Sequence, residues 1–188
     1  MRALLARRLS YFGFERSDLL AEGFINNLNC ISEFVAPFVL SAVVKSVCNA
    51  WPTSRRFGFV QSSHCLLGCY SVGGDDILHY PFCPVVREFI DEECCGFLSL
   101  WTRLGSLGHF FLLHCVYVED LVRTAMFHDL IFQAVNARRG SVDVGSGKGA
   151  LYTRLRSLFI KIPIAQRLLC GDLVLERGAG RRRELRPV

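Results

Sequence analysis

The chain has 188 residues, a formal net charge of +5 and a mean hydropathy of +0.30. Hydrophobic residues make up 51% and charged residues 21%, which is too apolar for a globally disordered chain. The length suits one domain, or one domain with tails, and the mild basic excess suits nucleic acid or anionic lipid without choosing between them.

A membrane-spanning helix needs about 20 consecutive apolar residues. The run 34–44 contains Pro37 and stops at Lys45. The run 104–118 carries His109 and His114 and ends at Glu119 and Asp120. Both are too short or too interrupted. Arg7 and Arg8 fall where a secretory signal needs an unbroken apolar stretch. A basic start with no acid before Glu15 fits either an organelle transit peptide or an ordinary first helix.

In chain order, residues 1–12 and 16–29 read as short helices. Residues 33–49 read as a third helix, with Pro37 in its first turn and Phe34, Phe38, Val39, Ala42, Val43 and Val47 on one stripe. Trp51-Pro52 ends it. Residues 57–60 suit a short strand, and 65–83 are rich in turn formers. Pro84 opens a helix carrying Val85, Val86, Phe89 and Ile90. The stretch 97–139 reads as mostly helical, broken near Gly105 and Gly108. Leu121, Ala125, His128, Phe132 and Val135 form its later stripe, and His109, His114 and His128 are expected at helix surfaces. Residues 140–150 form a Gly/Ser-rich linker. Residues 151–169 form a basic amphipathic segment, and the arginine-rich tail is expected to be disordered. The domain scheme is therefore an N-terminal helical segment (1–33), a helical domain (34–139), the linker, and the segment with its tail (151–188).

Nine cysteines and no secretion signal argue for a reducing, intracellular setting, nuclear or cytoplasmic, rather than a disulfide framework. Cys30, Cys48 and Cys115 read as small hydrophobes. In CLLGCYSVGGDDILHYPFC the spacing is C-x3-C, nine residues, then H-x3-C. Two close ligand pairs joined by a loop supply the four donors of a tetrahedral zinc site: Cys65, Cys69, His79 and Cys83. Gly68 can take the positive φ of a tight metal turn. With all four positions filled by protein, the ion would be structural rather than catalytic. His64 competes with His79 for this role, and Cys94 or Cys95 with Cys83. Trp51, Arg55 and Arg56 mix an aromatic ring with cations, a combination that suits single-stranded RNA or DNA: Trp51 for stacking and the arginines for phosphates.

The segments NAWPTSRRFGF, CLLGC and DDILHYPFCPVV together resemble the zinc-binding region that follows the polymerase domain in reverse transcriptases of non-LTR retroelements, especially retroelement-derived reading frames of protists. The matching residues are Asn49, Trp51, Thr53, Ser54, Arg56 and Phe57, then Cys65, Gly68 and Cys69, then His79, Tyr80, Cys83 and Pro84. FHDLIFQAVNARRG resembles the final helix of that family, with Asn136 and Arg138 in the matching places. The resemblance covers roughly residues 35–140. It implies a small zinc ribbon with helices, attached to a polymerase and holding the template. The 64 residues before Cys65 are too few for a polymerase palm.

Other motifs carry less. Gly74-Asp75-Asp76 is similar to the metal-binding turn of RNA polymerases, but no separate acidic strand accompanies it, so a polar turn between the two ligand pairs is the reading adopted. Gly145-Ser146-Gly147-Lys148-Gly149 lacks the Ser/Thr and the upstream glycine of a phosphate loop. No set of nucleophile, base and orienting residue stands out. The expectation is a mainly α-helical domain with a small zinc-stapled β-hairpin near 55–84, acting as a non-catalytic zinc-binding module of a retroelement reverse transcriptase that contacts nucleic acid. The alternatives are a helical protein-interaction domain with buried cysteines and no metal, and a membrane-surface protein acting through residues 151–169.

Overall fold

The structure is a computed structural model that describes residues 1–53, 64–71, 74–93, 106–115, 117–140, 147–161, 173–175 and 185–187. These residues are mainly helical. In chain order they form α1 (Arg2–Tyr11), α2 (Ser17–Ile31), α3 (Pro37–Val47), one 3-10 turn (Tyr80–Phe82), α4 (Pro84–Glu93), α5 (Leu107–Phe110), α6 (Val118–Gly140) and α7 (Gly147–Lys161). A short antiparallel pair, β1 (Leu173–Leu175) with β2 (Leu185–Pro187), lies near the C-terminus and sets Val174 opposite Arg186. Of the arginine-rich tail, only this second strand is described.

The first two helices form where expected and pack on each other across a five-residue loop. The third starts at Pro37 rather than Glu33. A residue before proline is driven out of the helical region, and Ala36 is extended (φ −68°, ψ 153°), so the helix begins at proline itself. Its stripe of Val39, Ala42, Val43 and Val47 is fully buried, whereas Phe38 is exposed. Asn49, with φ 51°, turns the chain away after its end.

The long stretch expected to be mostly helical is divided. Short α5 is followed by a loop in which Leu112 adopts φ +59° and its carbonyl accepts the Asn27 amide N–H of α2 at 2.7 Å. α6 then runs for 23 residues. Glu119 and Asp120 in its first turn and Arg138 and Arg139 in its last complement the helix dipole. It is buried around most of its circumference, from Val118 through Leu121, Val122, Ala125, Met126 and Ile131 to Val135. A helix buried on most sides is a central one, and α2, α3 and α7 all pack against it. The buried residues form one continuous cluster from Leu5 to Leu155.

Two readings are corrected at the C-terminal side. Residues 147–149 are not linker but the first turn of α7, where Lys148 Nζ reaches Glu92 at 2.6 Å and Glu88 at 3.1 Å on α4. Leu151 and Leu155 are buried against the body of the protein, so this part of the 151–169 segment has no apolar face left for a membrane. Among the described residues no helix is long and apolar enough to cross a membrane.

His128 is not at a helix surface. It is fully buried, stacked on Phe110 with ring centroids 3.9 Å apart. Its Nε2 lies 2.6 Å from the Phe110 carbonyl, a pure acceptor, so Nε2 carries the proton. Its Nδ1 lies 2.7 Å from Ser46 Oγ, which also receives the Trp51 indole N–H at 2.9 Å. This relay satisfies three polar side chains inside the apolar cluster. Burial depresses the imidazole pKa from 6.5 to about 4. The fold therefore favours neutral His128. Its contribution is complete above pH 6.5 and is lost as pH falls towards 4, where the unfolded chain already binds the proton. Urea unfolding is expected to show roughly 3 kcal/mol less stability at pH 4 than at pH 7 from this residue. His128→Gln should flatten that part of the profile; an unchanged slope in the variant contradicts the assignment.

Candidate metal centre

The segment from His64 to Pro84 connects the helical core to α4 and is built of tight turns. Its local hydrogen bonds run from Gly68 N–H to Cys65 O (3.0 Å), from Gly74 N–H to Ser71 O (3.1 Å) and from His79 N–H to Asp76 O (3.0 Å). Gly68 takes φ +86°, as expected for the metal turn. Gly74 is required for a different reason. A Cβ there would stand 2.8 Å from Ser71 O and 2.9 Å from Cys65 Cβ, so no side chain fits between the two halves of the loop. The expected β-hairpin is not seen among the described residues, and the strand expected at 57–60 lies outside them. The described residues between His64 and Pro84 form turns and the 3-10 turn, with a single bridge residue at His64. Pro81 and Pro84 withhold the N–H groups that a strand ladder would need.

The turns bring four ligand atoms together. Cys65 Sγ lies 3.6 Å from Cys83 Sγ, Cys69 Sγ lies 3.2 Å from His79 Nε2, and all four atoms lie within 4.8 Å of one another. A tetrahedral zinc ion with bonds of about 2.3 Å to sulfur and 2.0 Å to nitrogen has sulfur–sulfur edges of about 3.8 Å and sulfur–nitrogen edges of about 3.5 Å. Two of the cluster's separations, 3.6 and 3.2 Å, are close to those edges, and the others lie within 4.8 Å. A sulfur–sulfur separation of 3.6 Å is far beyond a disulfide bond of about 2.0 Å. Cys65 and Cys83 are buried, whereas Cys69 and His79 are half-buried.

The electrostatics suit a cation. The Cys83 thiol donates to Cys65, which draws the Cys65 pKa well below that of an ordinary thiol; the N–H groups of Leu67 and Cys69 act in the same direction. Cys83 is pushed up by that donation and by burial, while the Val86 N–H in the first turn of α4 points at its sulfur. Burial also raises Cys69, whose sulfur accepts the Ser71 N–H. Backbone N–H groups aimed at sulfur favour thiolates, and three thiolates this close repel one another until a cation sits among them. Burial likewise raises Cys115, to about 12, and Cys48, but neither belongs to the ligand cluster, so both read as packing thiols.

The loop is clamped to the end of α6. Asp75 is buried, and both of its carboxylate oxygens take the Arg139 guanidinium (2.8 and 2.6 Å), while Tyr80 OH donates to it at 2.7 Å. Arg138 Nε donates to Leu66 O at 3.0 Å. The Asp75-Asp76 doublet is thus a turn, as read from the sequence, and its first carboxylate is a buried ion-pair partner. Trp51 joins the loop to the core, its ring 5.8 Å from Tyr80 and 5.4 Å from Phe132.

Of the residues singled out by spacing, Cys65, Cys69, His79 and Cys83 are brought together, and His64 is exposed outside the cluster. Cys94, Cys95, Arg55 and Arg56 lie outside the described residues. Trp51 is corrected as a nucleic-acid contact: it is 0% exposed and its indole N–H is committed to Ser46, so it offers no face for a base to stack on. Asp75, Arg139 and the packing role of Gly74 were missed. The only hint of the ion pair was an acidic doublet and an Arg-Arg pair 64 residues apart. Comparison with protein-family models, with curated proteins and with solved structures gives no match.

Arg139→Met removes the cation from a buried carboxylate and is expected to cost about 3 kcal/mol in urea unfolding. Adding Asp75→Asn should restore part of that loss. Purely additive losses in the double variant would show that the pair is not coupled.

Proposed function

We propose that Cys65, Cys69, His79 and Cys83 hold one structural zinc ion, and that the domain is a non-catalytic nucleic-acid-binding module of a retroelement reverse transcriptase. The observation that carries the first half is the convergence of three sulfurs and one imidazole nitrogen within 4.8 Å. Soft thiolate donors with one imidazole select zinc over magnesium or calcium. Four protein ligands leave no position for a reacting water, so the role is to organise the loop rather than to catalyse. Such sites contribute about 10–16 kcal/mol of apparent binding energy, which is folding energy when the loop cannot order alone.

The second half rests on the resemblance of residues 35–140 to the retroelement zinc-binding region and on the net charge of +5. Arg138, one of the residues that carry the resemblance, holds the metal loop to α6. Arg55 and Arg56, ten and nine residues before Cys65, are the proposed phosphate contacts. Trp51 has a packing role.

One preparation tests both halves. Protein purified without added zinc should contain one zinc per chain, and Cys69→Ser should lose it together with thermal stability. A metal-free protein whose unfolding ignores chelator contradicts the site and favours a helical interaction domain with plain buried cysteines. On the metal-containing protein, log affinity for single-stranded RNA should fall with log salt. Arg55→Ala with Arg56→Ala should make that slope shallower by about 1.4, the share of two phosphate contacts. Binding that is independent of salt would contradict the nucleic-acid reading while leaving the metal site standing.

A further inference from the structure

The four proposed metal ligands are not equally protected. Cys65 is 5% exposed and Cys83 is 0% exposed, so the pair closes one side of the cluster. Cys69 and His79 are half-buried and form the open side, with Cys69 Sγ 3.2 Å from His79 Nε2. The residue after Cys69 does not cover that side. Tyr70 takes φ +59° and is 84% exposed, so its ring stands out in solvent rather than over the sulfur. A small solute arriving from solvent therefore meets one of the three sulfurs first.

The open pair is chemically asymmetric. A thiolate climbs the oxidation ladder in the presence of a hydroperoxide, and an imidazole has no place on that ladder. A thiol that coordinates a divalent cation is held deprotonated, so the bound ion would keep Cys69 in its nucleophilic form. Cys69 also has resolving partners at hand. Its sulfur lies within 4.8 Å of both the Cys65 and the Cys83 sulfur. A sulfenic acid with a thiol so close condenses to a disulfide before it reaches the irreversible acids. Cys48 and Cys115 lie outside this cluster.

We propose that Cys69 is an oxidation-sensitive ligand through which hydroperoxides switch the metal site off. In the first step the Cys69 thiolate attacks a peroxide oxygen. A sulfur–oxygen bond forms, the oxygen–oxygen bond breaks, sulfur gives up two electrons, and hydroxide leaves. In the second step the thiolate of Cys65 or Cys83 attacks the sulfenic sulfur. A disulfide forms, the sulfur–oxygen bond breaks, and a second hydroxide leaves. With hydrogen peroxide the sum is two thiolates, one peroxide and two protons giving one disulfide and two waters. His79 and the one remaining cysteine are too few to hold tetrahedral zinc. A dithiol reductant reverses the change by thiol–disulfide exchange. The switch is the regulation of the metal site described above and rests on that reading.

The test is hydrogen peroxide titration of the full chain as purified. Zinc content is measured first, and released zinc is then followed with a chromogenic chelator. Peroxide should release one zinc per chain as one disulfide forms. Peptide mass spectrometry should place that disulfide between Cys69 and Cys65 or Cys83. A sulfenic-acid trap added with the peroxide should label Cys69 before either of its neighbours. A dithiol with added zinc should restore the metal. Cys69→His keeps a zinc ligand on the open side but no sulfur, and should release zinc at least about ten-fold more slowly. If that variant holds no zinc, the trap and the disulfide map of the natural chain decide the matter. Zinc retained through the titration, first labelling at Cys65 or Cys83, or zinc lost with no disulfide at Cys69 overturns the proposal and leaves the metal reading standing. A chain that carries no zinc at the outset overturns both, and the first measurement tells the two failures apart.

Discussion

Three thiols and an imidazole crowded into a sphere a few ångströms across are the constraint around which the rest of this protein is arranged. Such a cluster is self-repelling once its sulfurs ionise, and its backbone N–H groups favour that ionisation. A divalent cation converts the repulsion into attraction. Between His64 and Pro84 the described residues make turns and one 3-10 turn rather than longer regular elements, anchored by buried Leu67, Ile77 and Tyr80 and by the Asp75–Arg139 pair. Gly74 lies where any side chain would force the two halves of the cluster apart. The metal ligands and the missing side chain at Gly74 serve the same close approach.

The second level of organisation joins that loop to the helices. Arg138 and Arg139, at the end of the central helix, take a loop carbonyl and a buried loop carboxylate. Tyr80, between His79 and the second half of the turn, donates to the same carboxylate and packs near Trp51. Trp51 in turn leads through Ser46 to His128 and the Phe110 carbonyl. A continuous chain of contacts therefore runs from the metal loop through α3 to the middle of α6. Disruption of the four-residue cluster should be felt in the helical core rather than only in the loop.

Much of this was legible in the sequence where one short-range rule dominates. The ligand spacing, the positive φ at Gly68, proline at a helix start and the apolar periodicities at Val39–Val47 and Leu121–Val135 are local features, and the structure shows each of them. What could not be read depends on partners distant in the chain. The Asp75–Arg139 pair spans 64 residues, and a carboxylate doublet in a glycine-rich stretch gives no sign of which cation will bury it. His128 falls on a helical stripe, but whether that stripe faces solvent or core is decided by how many helices surround α6. Trp51 beside two arginines suits stacking as well as packing, and only the positions of Tyr80, Phe132 and Ser46 decide for packing. The hairpin was expected from the resemblance to a zinc ribbon, yet prolines at 81 and 84 favour turns at that end.

The most direct test is zinc-edge X-ray absorption on protein purified without added metal. A first shell of three sulfurs at about 2.3 Å and one nitrogen at about 2.0 Å is the expected result. A chain without zinc, or a shell of nitrogen and oxygen alone, contradicts it.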